Sequence, residues 1–147
     1  MQESKNTGVI RNERTLPFSP RQVFSAFEKS DRVALWWGPK DFTNTFESFE
    51  FKVGAKWVFT MHAPNGANYP SENILREIQT DRKIIIEHID APWYRLTVTL
   101  SPESNGTHLI WNQEFESPAF AEKMRALCEP ANEQNLDRLQ AFLERHR

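Results

Sequence analysis

The side chains able to do acid–base or metal chemistry are few in this 147-residue chain, and they form no familiar constellation. The four histidines stand at 62, 88, 108 and 146. No two have the i, i+4 spacing that puts a pair of zinc ligands on one helix face. The single cysteine, Cys128, supplies neither a thiolate cluster nor an intramolecular disulfide. No metal and no cofactor are therefore expected. His62 closes an alternating segment beside an Ala-Pro-Asn-Gly turn, and His108 has outward parity, so both read as solvated. His88 shares parity with Ile84 and Ile86, and it serves either as a general acid or base inside a cavity or as a hydrogen-bonded residue at its rim. Glu77, Glu87 and Asp90 lie near strand ends. A cyclase or isomerase would need one of them buried, with a raised pKa, beside a donor for a developing enolate. There is no glycine-rich phosphate loop and no nucleophile elbow, and no catalytic residue is assigned.

The more informative chemistry is aromatic. Hydrophobic residues make up only 39% of the chain, yet it carries 5 Trp, 11 Phe and 2 Tyr. Large rings fill a core, and they also wall ligand cavities. Trp36 and Trp37 close a short helix, where they can gate a cavity or anchor the helix. Trp57, Phe59 and Met61 share one strand face, and Leu109 and Trp111 share another. The candidate ligand-binding set is Trp36, Trp37, Trp57, Phe59, Met61, Leu75, His88, Trp111 and Leu139, with polar orientation from Gln113, Asn135 or Tyr69.

The elements that must hold these residues follow from the punctuation of the chain. Residues 8–16 read as a first strand. Phe18-Ser19-Pro20-Arg21-Gln22-Val23 then carries a capping box with Pro at the first helical position and a hydrophobic staple, which predicts a helix over 20–29. A second short helix, 31–36, stops at Gly38-Pro39. Strands are expected over 42–53, 56–62, 69–79, 83–88, 94–101 and 107–116, paired consecutively and antiparallel. Ser117-Pro118 opens a short helix to about Leu127. Pro130 is expected to break it and start a final helix, with Leu136, Leu139, Phe142 and Leu143 inward and Asp137, Arg138, Gln140 and Glu144 outward. A curved sheet with one terminal helix laid across it leaves a space beneath that helix.

Charge and length exclude other classes. With 18 Lys+Arg against 20 Asp+Glu, the chain has no general pull toward nucleic acid or an anionic membrane. The longest apolar run, Val33–Trp37, is far short of the ~20 residues of a membrane helix. The first eight residues lack the features of a secretory signal. One domain over 8–147 is expected, after a flexible segment 1–7, with the cytoplasm as its location.

Several motifs carry a resemblance. Leu16-Pro17-Phe18-Ser19-Pro20 through Val23-Phe24, Leu35-Trp36-Trp37-Gly38-Pro39, Phe51-Lys52-Val53-Gly54-Ala55-Lys56-Trp57, Glu77-Ile78 with Arg82-Lys83-Ile84, and Asn105-Gly106-Thr107-His108-Leu109 span the chain. Together they resemble the START and birch-pollen-allergen-like (SRPBCC) superfamily, in its branch of homologues of the heat-shock-protein-90 ATPase activator, also labelled polyketide-cyclase-like. The Trp-Trp-Gly-Pro run is the most specific piece. The resemblance implies an α+β helix-grip fold, a seven-stranded curved antiparallel sheet wrapped around a long C-terminal helix, with two short helices after strand 1. It also implies a hydrophobic cavity between the sheet and that helix. The sequence departs from the family at Lys52 and Gly54-Ala55, at Asn73 where a strand glycine is usual, and at Gln113 where a histidine is common. The co-chaperone activity of the eukaryotic relatives involves a second domain that a chain of this length is not expected to carry.

The function expected is binding of a small hydrophobic or aromatic molecule in that cavity. An enzyme of cyclase or dehydratase type using the same cavity is the first alternative, and a co-chaperone-like interaction module the second. The partner expected is that small molecule, with no nucleic acid and no membrane insertion. A homodimer and a chaperone are kept open as further partners, the latter without support in the residues.

Overall fold

Two-residue alternation carries seven segments into one antiparallel sheet in the computed structural model, which describes residues 8–146. The strands are β1 (Val9–Leu16), β2 (Thr43–Ser48), β3 (Lys56–His62), β4 (Asn68–Gln79), β5 (Lys83–His88), β6 (Tyr94–Glu103) and β7 (Gly106–Phe115). Their spatial order is β1-β7-β6-β5-β4-β3-β2, so every sequential pair from β2 to β7 is adjacent and β1 closes on β7. In β7 the inward set Thr107, Leu109, Trp111, Gln113 and Phe115 is buried. The register then lines up inward residues across the sheet, Phe115 with Tyr94, Tyr94 with His88, His88 with Asn73 and Asn73 with Trp57. The seven-stranded sheet, the two short helices after β1 and the long terminal helix are those of the helix-grip architecture. The expected segment 1–7 lies outside the described residues.

The capping box at Ser19 forms as read. Its hydroxyl accepts from the Gln22 N–H, and the Gln22 side chain accepts from the Ser19 N–H. Helix α1 nevertheless spans only Pro20–Ser25, not 20–29. After Ser25 the chain tightens into i→i−3 bonds, Ala26 to Val23, Phe27 to Phe24 and Glu28 to Ser25, which drive Ala26 and Phe27 fully inside. Helix α2 covers Ser30–Trp36. β2 is also shorter than expected. Its ladder shifts between Phe46 and Ser48, and the following rings pack instead of pairing: Phe49 stacks on Trp57 at 4.6 Å and Phe51 meets Phe24 edge-on at 5.5 Å.

The largest correction concerns Pro130. It does not break the chain: α3 is one helix of 28 residues, Pro118–Arg145. Proline removes one backbone donor from a helix interior, but tertiary bonds hold the turns around it. Asn12 of β1 donates from Nδ2 to the Glu129 carbonyl (3.1 Å) and to the Glu133 carboxylate (2.7 Å). Pro130 itself faces solvent.

Two apolar clusters result. The larger joins the sheet's inner face to α1, α2 and the C-terminal part of α3 through Trp36, Trp57, Leu109, Leu136 and Leu139, all within 3% of full burial. The smaller gathers Ile10, Phe115 and Ala121 near the start of α3. Among the described residues, no helix is long and apolar enough to cross a membrane.

Candidate functional site

The end of α2 builds the site. Trp36 is buried in the core, its indole donating to the Ala26 carbonyl at 3.1 Å, with Phe27 edge-on at 4.9 Å. Trp37, the next residue, keeps a helical φ of −71° but turns the chain out of the helix at ψ 136°. Its ring touches Trp36 (5.6 Å), Trp111 (5.9 Å), Trp57 (6.2 Å) and Phe59 (6.2 Å), mostly at tilted or edge-on angles that suit ring quadrupoles. Gly38 follows with φ +98°. A Cβ there would lie 2.9 Å from the Met61 methyl and 3.3 Å from Phe42, so both its conformation and its neighbours require glycine.

A helix that stops this abruptly leaves its last carbonyls unsatisfied, and α3 answers them. Arg138 donates to the carbonyls of Trp37 (2.9 Å), Gly38 (3.1 Å), Pro39 (2.9 Å) and Leu35 (3.2 Å). Asn135 donates to Trp36 O at 2.8 Å and accepts from Gly38 N at 3.1 Å. The expected outward placing of Arg138 is therefore wrong: it is half-buried, and burial lowers its pKa from the usual value. Helical periodicity missed it because a guanidinium can lie along the helix and reach sideways. The readable signal was a carbonyl-rich helix stop at Gly38 in need of a cation. Arg138→Met is expected to cost about 1.5–3 kcal/mol, the range for hydrogen bonds to charged groups, since the part-buried carbonyls of 37–39 lose their donor. A urea titration checks this, and Arg138→Lys should restore less than half, since an ammonium cannot span four carbonyls.

Against this corner lies a cavity of about 430 Å3 between the sheet and α3. Trp37, Met61, Leu96 and Trp111 give it apolar walls, and Gly38, Pro39 and Phe42 one side of its mouth. Tyr69 and Leu127, 51% and 67% exposed, form the opposite rim. The α3 side contributes Cys128, Ala131, Asn132 and Asn135, and the sheet contributes Tyr94 and Gln113. Among the described residues, no Asp, Glu, Lys, Arg or His belongs to this lining. Burial pushes the Tyr94 phenol and the Cys128 thiol above their ordinary pKa values, so both are neutral at physiological pH.

Of the residues singled out from sequence, Trp37, Met61, Trp111, Gln113 and Asn135 line this cavity, as does Tyr69. Trp36, Trp57, Phe59, Leu75 and Leu139 lie in the packed core behind it, each at most 2% exposed. His88 lies on the inner sheet face between Asn73 and Tyr94, its ring stacked on Tyr94 at 4.7 Å and its Nδ1 3.0 Å from Pro92 O. That carbonyl can only accept, so Nδ1 carries the proton. Asn73 is buried and donates to Trp57 O and Ser71 Oγ. Glu87 faces the other side of the sheet, where Trp93 and Arg76 bond it and hold its carboxyl below the usual range. Among the described residues no three His, Cys, Asp or Glu side chains cluster as metal ligands would.

Sequence reasoning did not single out Tyr94, Leu96, Asn132 or Asn12 for the site. Asn12 is 4% exposed and starts a chain of amides. It donates to Glu133 Oε2, Asn132 Nδ2 donates to Asn12 Oδ1 (3.2 Å), and the same Nδ2 donates to Gln113 Oε1 (3.1 Å). Nothing in a single strand's alternation marks such a pairing between β1 and a helix more than a hundred residues later.

Comparison with known proteins agrees on the architecture. The model of the family described as Activator of Hsp90 ATPase homolog 1-like protein matches residues 17–144. No curated protein matches the chain. Among solved structures, a protein from Arthrobacter aurescens superposes with a TM-score of 0.87 at 22% identity, covering 96% of this chain and 88% of that one. A Chromobacterium violaceum protein gives 0.82 at 25% identity, over 93% and 97% of the two chains. One from Nitrosomonas europaea gives 0.85 at 14% identity, over 95% and 96%.

Proposed function

Because the chain belongs to the Activator of Hsp90 ATPase homolog 1-like family of the SRPBCC superfamily, we propose that residues 8–147 act as one unit that holds a small hydrophobic or aromatic molecule between the sheet and α3. The observation that carries this reading is the cavity beside Trp37 and Trp111, apolar in its walls and with no charged side chain among the described residues that line it. Its size suits a molecule of two or three fused rings. Burying ~300 Å2 of apolar ligand surface at ~25 cal/mol per Å2 contributes about 7 kcal/mol. Part of that offsets lost translational and rotational freedom, so this burial alone gives dissociation constants no tighter than the micromolar range.

Trp37 is central because it is held from behind by Trp36 and from the side by Arg138 through its own carbonyl. A wall fixed in this way loses little side-chain entropy on binding. The enzyme reading has one observation in its favour, the Tyr94 phenol in the lining with His88 stacked behind it. The chaperone reading rests on the name of the matching family.

Native mass spectrometry of the purified protein tests the carrier reading, first as isolated and then after incubation with neutral naphthalene derivatives. The expected result is a one-to-one adduct that leaves on denaturation. A bare protein mass under both conditions would contradict it.

A further inference from the structure

We propose that Gln113 is a specificity residue of this cavity, presenting a fixed N–H donor that selects uncharged ligands carrying a hydrogen-bond acceptor such as a ketone. This rests on the reading of the cavity as a ligand site. Which way a buried amide points is set by its partners, and here the chain of partners fixes every member. Asn12 faces the Glu129 carbonyl and the Glu133 carboxylate, both acceptors only, so the atom it turns toward them is nitrogen. Its other atom is then the oxygen, and Asn132 must meet that oxygen with its own nitrogen, 3.2 Å away. The same Asn132 nitrogen lies 3.1 Å from Gln113, whose facing atom must be oxygen. Gln113 is left with its NH2 group.

That NH2 group has no acceptor among the described residues, and Gln113 belongs to the cavity lining. Asn135, the third amide of the lining, is different: both of its polar atoms are consumed by Trp36 O and Gly38 N. Tyr94 keeps its proton and can donate, and no carboxylate competes for the Gln113 N–H inside the cavity. The start of the chain is anchored outside by charge. Glu133 is paired with Arg14 at 3.0 Å. The Glu129 carbonyl and the Glu133 carboxylate thereby set the polarity of a donor in the cavity lining, through three amides.

A ligand acceptor aimed at Gln113 gains a bond that a hydrocarbon of equal shape cannot make, and the hydrocarbon leaves the donor unpaired. Anionic ligands gain the same bond but bring a charge into a lining that has no cation among its described residues to receive it.

The test uses Prodan, a neutral naphthyl ketone whose emission moves to longer wavelength when its carbonyl accepts a hydrogen bond, against an alkylnaphthalene of similar size. The full chain is expected to bind the ketone about five- to tenfold tighter than the hydrocarbon, with bound Prodan emitting as in an alcohol. Gln113→Leu should abolish the preference while retaining the hydrocarbon, and Asn132→Leu, which frees the Gln113 amide to turn over, should reduce it. An unchanged preference in Gln113→Leu would overturn the proposal. Should that variant fail to fold, hydrocarbon-like emission of Prodan bound to the unaltered protein would overturn it equally. Failure of both probes to bind would instead overturn the carrier reading, and this inference with it.

Discussion

Trp37→Ala is expected to lose more than a tenfold share of its affinity for a neutral naphthyl ketone and to cost about 3–5 kcal/mol of stability, the usual range for truncating a buried aromatic. Both effects have one cause. The ring is 5% exposed, packed against Trp36, Trp57, Phe59 and Trp111, and the little surface it keeps belongs to the cavity. Removing it opens the core to the cavity and takes away the wall on which a flat ligand would lie. Two other tryptophans separate the contributions. Trp57→Ala should cost similar stability but leave affinity in the folded protein within about threefold, since Trp57 stands behind the cavity, stacked on Phe49. Trp93 lies half-buried with its indole on Glu87 and Arg95 over its ring, on the other sheet face, so Trp93→Ala should leave affinity unchanged. Calorimetric titration of the three variants, with urea unfolding of each, gives the comparison. Equal affinity losses at positions 37 and 93 would refute the placement of the binding surface.

A second large effect is expected at Gly106. A Cβ there would meet the Leu16 carbonyl oxygen at 2.0 Å, with further backbone atoms of Leu16 and Pro17 at 3.0 and 3.1 Å. Backbone cannot turn aside as a flexible side chain does. Gly106→Ala must therefore push β1 from β7 where their ladder begins, at Leu16 opposite Thr107. The neighbouring bond from Thr107 Oγ1 to Phe18 O, 2.7 Å and buried, would be strained with it. The cost should exceed about 3 kcal/mol, at the upper end for overpacking, and appear as a lower urea midpoint with an unchanged slope. Because β7 carries Trp111 and Gln113, the same variant should bind the ketone probe more weakly at temperatures where it is still folded. A stability loss of less than about 1 kcal/mol would show that the strand pair yields there more easily than a packed ladder does.

Much of this architecture was legible because it is written in local chemistry. Ser19 and Gln22 announce a helix start, Gly38-Pro39 a stop, and alternation fixes β3 and β5 to the residue. What escaped was set by partners distant in sequence. Pro130 reads as a break until Asn12 is known to hold the helix on both sides of it. Arg138 reads as a solvated charge until the carbonyls of 35 and 37–39 arrive beneath it. The aromatic residues were named correctly as inward, but parity alone does not divide a wall from the core behind it. Trp37 and Trp111 line the cavity, whereas Trp36 and Trp57 are enclosed among the other rings of the core.

The five tryptophans supply the most direct test, because each indole N–H gives its own nitrogen–proton NMR signal. On titration with the neutral naphthyl ketone, the Trp37 and Trp111 signals are expected to move together and to saturate at one equivalent. Trp36 and Trp57 should move less, and Trp93 not at all. Movement of Trp93 alone, or no movement of Trp37 and Trp111 at ligand concentrations well above the micromolar range, would contradict a binding cavity between the sheet and the terminal helix.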